Sequence, residues 1–137
     1  MSPIVRDLSN ICGVSLLKAN AQEAATTTGT GVDFAGAALY QGVMFVAELT
    51  TNANPTGQTI DLTIDGSDDG TTWTTGVAVF DQWDVSTAAG LYYADFVAGA
   101  GPMRYYRYVD TQTASADATF AIFAIGVNPS QANVTQV

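Results

Sequence analysis

The strongest signal along the chain is period-two alternation of apolar and polar residues. In the segment 58–65 (QTIDLTID), Ile60, Leu62 and Ile64 project to one side and Thr59, Asp61, Thr63 and Asp65 to the other. That pattern predicts a strand with one buried and one wet face. The run 42–49 (GVMFVAEL) is mostly apolar and reads as a more deeply buried strand. The run 103–110 (MRYYRYVD) sets Arg104, Tyr106 and Tyr108 against Tyr105, Arg107 and Val109. The run 118–127 (ATFAIFAIGV) is apolar on both faces, which suits a central strand packed on two sides. Shorter strands are expected over 22–28, 32–34, 76–80 and 91–96. Turn signals fall between them at Gly29–Gly31, Asn52–Pro55, Asp69–Gly70 and Gly99–Pro102. Seven or eight short strands with linkers too short for crossover helices predict an all-β fold. The expected architecture is an antiparallel β-sandwich, jelly-roll or immunoglobulin-like, spanning residues 21–127.

The two ends read differently. Residues 1–20 are expected to form an N-terminal arm: Ile4, Val5, Leu8, Ile11 and Cys12 fall near helical spacing, and Val14, Leu16 and Leu17 follow. Such an apolar segment is either a first helix or strand of the fold or an extension onto a neighbouring subunit. On the second reading, a chain lacking residues 1–18 still folds. The tail, 128–137, is polar and patternless.

Composition narrows the chemistry. The 137 residues carry 13 acidic and 4 basic side chains, a net charge of −9, with no histidine and one cysteine, Cys12. So few cations cannot neutralise a run of phosphates, so no nucleic-acid partner is expected. Without histidine there is no Ser-His-Asp triad and no His-ligated metal, and a lone cysteine forms no internal disulfide. No apolar run reaches the roughly 18 residues of a membrane span, so no membrane partner is expected. Only 12% of residues are charged, so the surface is largely Thr, Ser, Asn and Gln, which cost less to desolvate than charges.

The densest polar constellation is Asp65-Gly66-Ser67-Asp68-Asp69-Gly70-Thr71-Thr72-Trp73. Asp65, Ser67 and Asp69 have the spacing of a calcium loop, but the closing position is Gly76 and not a bidentate Glu. Ser67, Asp69, Gly70, Thr72 and Trp73 also approximate the Asp box of sialidase-like propellers, one residue short and present once. The expectation is a hairpin turn built by Asp65, Ser67, Asp69 and Gly70 and pinned by Trp73, with no metal or other cofactor. Asp81 and Asp84 flank Trp83, yet near-pairs of carboxylates arise by chance in so acidic a chain. No catalytic residue is assigned, and no enzymatic activity is expected. Tyr92, Tyr93, Phe96, Tyr105, Tyr106 and Tyr108 lie in two segments near Arg104 and Arg107. Tyr and Arg dominate interface hot spots, so one face of these strands is expected to be core and the other a contact patch.

The order of elements from the Thr-rich strand and Gly29-Thr30-Gly31-Val32-Asp33-Phe34, through 65–73, to Arg104–Val109 and the closing apolar strand resembles small virion proteins of tailed bacteriophages. The resemblance covers roughly residues 22–127. It implies a capsid cement or decoration protein, a non-enzymatic module on the outer surface of the head that clamps neighbouring capsomers. The implied partners are the major capsid protein and further copies of itself, as a homotrimer. Candidate contact residues are Ile4, Val5, Leu8, Ile11, Leu16, Leu17, Trp83, Tyr92, Tyr106 and Tyr108. A tail, neck or head-fibre component fits the same sandwich. A carbohydrate-binding module stacking sugars on Trp73, Trp83 and the tyrosines is the reading from another class.

Overall fold

The alternating segments form strands that stack as two antiparallel sheets. In the computed structural model, which describes residues 14–34, 40–113 and 116–129, nine strands follow one another. They are β1 (Val14–Glu23), β2 (Thr27–Thr28), β3 (Val32–Asp33), β4 (Tyr40–Asn52), β5 (Ile60–Ser67), β6 (Thr74–Val79), β7 (Gly90–Ala94), β8 (Tyr105–Gln112) and β9 (Ala118–Pro129). One sheet has the order β1-β9-β4-β7; the other runs β2-β8-β5-β6, with β3 also on β8. Every pairing is antiparallel.

Thr27 and Thr28 pair with Asp110 and Val109, and Val32 and Asp33 pair with Tyr106 and Tyr105, so β2 and β3 are halves of one interrupted strand. The residues of the interruption are glycines for a steric reason. A Cβ on Gly29 would stand 2.3 Å from the Tyr108 ring, and one on Gly31 would stand 2.7 Å from Trp73. Counted as one strand, β2 and β3 give eight strands in jelly-roll order: the first pairs with the last, and only β5–β6 joins sequence neighbours within a sheet.

The core lies between the sheets. Phe45, Leu49, Ile60, Leu62, Ile64, Trp83, Tyr106, Phe120 and Ile122 are each no more than 1% exposed. Their rings interlock edge to face, Phe45 on Tyr106 at 5.1 Å and Trp83 on Phe120 at 5.3 Å between centroids. Such pairs add about 0.5–1.5 kcal/mol each beyond area burial.

The N-terminal boundary needs correction. The division at residue 20 falls inside β1, whose Val14–Glu23 pair with β9 from Ile125 to Ala118. Leu17 belongs to the core, and among the described residues there is no helix. Two register shifts, between Leu16 and Lys18 and between Lys18 and Ala21, break the alternation of β1. Ile4, Val5, Leu8 and Ile11 lie outside the described residues.

Candidate functional site

Residues directly opposite each other on paired strands share a face, so the register of β1-β9-β4-β7 fixes what lines its outer side. One row is Val14–Ile125–Met44. The next crosses all four strands, Leu16–Phe123–Val46–Tyr93. A third, Ala121–Glu48–Leu91, brings in the first charge. Beyond it the face turns polar, with Thr50 donating to Asn20 Oδ1 and to the Thr119 carbonyl. Of the seven large apolar side chains well exposed among the described residues, four stand in these rows: Val14, Leu16, Leu91 and Tyr93. Both faces of β9 are apolar, yet every described strand belongs to one of the two sheets, and none covers this side. The result is a contiguous apolar face of the sort that marks an interaction surface.

The expected contact residues divide sharply. Leu16 stands on this face, 48% exposed. Leu17, Trp83, Tyr106 and Tyr108 do not: all four are buried in the sandwich, which corrects their assignment to a contact patch. The parity of β8 is the reason. Tyr106, Tyr108 and Asp110 point inward, leaving Tyr105, Arg107 and Val109 partly exposed on the other side. The Tyr106 hydroxyl accepts the Met103 N–H at 2.6 Å, and burial pushes its pKa up to about 12. Tyr92 is half-buried on the inner side, its ring 5.5 Å from Trp83 and its hydroxyl donating to the Ala88 carbonyl. Val14, Met44, Leu91, Phe123 and Ile125 complete the face together with Tyr93, which the aromatic segments singled out. The double-sided apolarity of β9 pointed to three of its positions.

The Asp-rich hairpin is closed on itself. Ser67 Oγ donates to Asp69 Oδ1 at 2.9 Å and accepts the Gly70 N–H at 2.9 Å, while Asp69 Oδ1 also accepts the N–H groups of Thr71 and Thr72. Those backbone donors hold the Asp69 carboxyl well below the usual carboxylate range. Buried Asp65 receives Arg107 Nε at 3.0 Å and the Gly76 N–H at 3.1 Å. The Arg107 guanidinium lies 4.4 Å from the centre of the Trp73 ring, a cation–π contact that ties β8 to the hairpin. Oxygens at calcium-loop spacing therefore serve the turn's own backbone and Arg107.

A polar cluster sits where β1 crosses the end of β8. Lys18 is 6% exposed, and its ammonium donates to the carbonyls of Ala19, Ala21 and Phe120 while lying 4.1 Å above the Phe120 ring. Glu23, Tyr108, Asp110 and Gln112 gather beside it. A cavity of about 430 Å³ opens there between β1 and β2–β3, with Lys18, Glu23, Thr28 and Tyr108 in its walls.

Comparison with known proteins adds a fold relation. The chain superposes on the crystal structure of the PBSX exported protein XepA with a TM-score of 0.52 and 21% identity. The match covers 90% of this chain and 39% of XepA, so the chain spans about two fifths of that protein's length. The two share a fold. No protein-family profile and no curated protein sequence matches the chain.

Proposed function

We propose that this chain is a structural protein of a tailed-phage particle, a capsid cement or decoration protein without enzymatic activity. Its working surface is the outer face of the four-stranded sheet, which docks on the head shell and lets the module clamp neighbouring capsomers. The carrying observation is the uncharged pair of rows, Val14–Ile125–Met44 and Leu16–Phe123–Val46–Tyr93, on a face that no described strand covers. Support comes also from the fold shared with XepA, whose name ties it to the phage PBSX, and from a charge content low enough to limit desolvation at an interface. Self-association as a homotrimer and contact with the major capsid protein belong to the same proposal.

Counting copies in purified particles tests it. Hundreds of copies, with density on the outer shell in a cryo-EM map, are expected. A dozen or fewer would move the protein to the tail, neck or head fibre. The word "exported" in the XepA name favours a second reading, a protein released from the cell without the particle. Recovery in the particle-free fraction of a lysate would favour that reading and sink the first. The glycan-binding alternative loses Trp83, which is buried, and Arg107 covers one face of Trp73, which leaves exposed Tyr93 as its main platform.

A further inference from the structure

The cluster between β1 and β8 is short of hydrogen-bond donors. Lys18 spends its three N–H groups on the carbonyls of Ala19, Ala21 and Phe120. Gln112 Nε2 donates to Asp110 Oδ2 at 2.7 Å and to the Glu23 carbonyl at 3.2 Å, and Tyr108 Oη reaches Glu23 Oε1 at 3.4 Å. Every side-chain donor of the cluster is then used. Three buried acceptors remain without a partner: Glu23 Oε2, Asp110 Oδ1 and Gln112 Oε1. Each has less than 1 Å² of accessible surface. Unpartnered buried oxygens are costly, and two carboxylates beside a single ammonium would leave a net buried negative charge. The missing donor must therefore be one that takes up no room.

We propose that Asp110 is a neutral carboxylic acid in the folded chain, its proton adding a donor to the cluster it shares with Glu23 and Gln112, and that this proton helps hold β1 on β8. Asp110 is the member that keeps it because it is 0% exposed at an inward position of β8, whereas Glu23 is partly exposed. The groups that face it are Lys18 and Glu23 on β1, Asp61 on β5, and Tyr108 and Gln112 on its own strand. Burial is the main force favouring the neutral form, and the charges of Glu23 and Asp61 act the same way against the opposing Gln112 bond and Lys18 charge. The Asp110 pKa rises to about 6.

A carboxyl with a raised pKa binds its proton more tightly folded than unfolded. Its stabilisation is complete at pH values below the unfolded pKa and fades as pH climbs through about 6. Between pH 5 and 7.5 this group alone is expected to weaken the folding equilibrium about tenfold.

Two measurements test the proposal. Carboxyl-carbon NMR of the intact chain should show one aspartate titrating near pH 6, and Asp110→Asn should remove that signal. Urea unfolding at pH 5 and 7.5 should give a wild-type loss of about tenfold that Asp110→Asn lacks, because its amide supplies the donor without a proton. Glu23→Gln, which adds a donor on the other side, should move the Asp110 titration downward. An Asp110 that titrates near 4 in the wild-type protein overturns the proposal even if the Asn variant fails to fold. A pH dependence shared by wild type and a folded Asp110→Asn does the same. Neither result bears on particle occupancy, so the docking reading stands or falls separately.

Discussion

Replacing Leu16 and Tyr93 together by Asp is the sharpest test of the apolar face. The two side chains stand at opposite ends of the row that crosses all four strands, 48% and 59% exposed. Folding should change little, because surface substitutions away from packed features usually stay within about 0.5 kcal/mol. Docking should change greatly. A fully buried aromatic covers about 150–250 Å², so the open part of Tyr93 offers roughly 90–150 Å² to a partner, worth about 2–4 kcal/mol. The open half of Leu16 adds about 1 kcal/mol. Losing about 3–5 kcal/mol weakens binding more than about 100-fold, before counting the cost of burying two carboxylates. The assay is occupancy: particles lacking the protein are incubated with each variant and bound copies are counted after washing. Val85→Asp is the control, since Val85 is 51% exposed but lies in the turn after Trp83, off the sheet face. Equal occupancy by the folded double variant and by Val85→Asp would exclude docking through this face.

Three other perturbations probe the frame around that face. Trp83→Ala should cost about 3–5 kcal/mol in urea unfolding, a large part of the roughly 5–15 kcal/mol available to a domain. Trp83→Phe should cost less, because it keeps a ring in the core while removing Nε1, a buried donor without a partner. Equal midpoints for wild type and Trp83→Ala would place that ring outside the core. Asp69→Ala should loosen the hairpin by releasing the N–H groups of Thr71 and Thr72, read as faster amide exchange at those two residues. In the wild-type protein these bonds should persist at neutral pH and yield only in strong acid, since a depressed carboxyl pKa lends stability that is lost as pH falls through it. Deleting residues 1–18 should unfold the chain at ordinary temperature, because it removes half of β1, including core Leu17 and the Lys18 bonds to three carbonyls. A two-state melt near the wild-type midpoint would show β1 to be dispensable.

Strands announce themselves when alternation is clean and hide when it slips. Ile60, Leu62 and Ile64 predicted β5 with its inward face correct, and all three are buried. In 103–110 the alternation of β8 was just as visible, but both of its faces are aromatic or amphipathic. Nothing local says that Tyr106 and Tyr108, and not Tyr105 and Arg107, turn inward; the choice follows from pairing with β5, where Ile64 faces Tyr108. β1 hides its alternation for a different reason. Its bulges change the phase twice in six residues, and Lys18 looks like a solvent residue although a ring and three carbonyls receive it. The outer face was legible in Leu16, in Tyr93 and in the apolar run of β9, while its other members gather through register alone. The donor shortage around Asp110 depends on residues 18, 23, 108, 110 and 112 meeting across two sheets, which no spacing in one segment encodes.

The distribution of charge gives the apolar face its meaning. With a net charge of −9, two copies or a copy and an acidic shell repel over most approaches. Exposed Asp33, Asp68, Asp69, Asp81 and Asp84 lie on the other sheet or in turns, and three of them are stabilised as anions by Arg104, by the hairpin N–H groups or by Ser86. Among the described residues, Glu48 is the one carboxylate at a paired position on the outer rows of the four-stranded sheet, with exposed Asp95 just beyond the end of β7. Contact through any other face would press carboxylates together or strip them of water, at a cost of several kcal/mol per buried ion. Contact through this face buries Leu16, Phe123 and Tyr93 and leaves Glu48 at the rim. Repulsion elsewhere therefore makes the same rows both the favourable surface and the selective one, as expected where specificity comes from excluding wrong approaches.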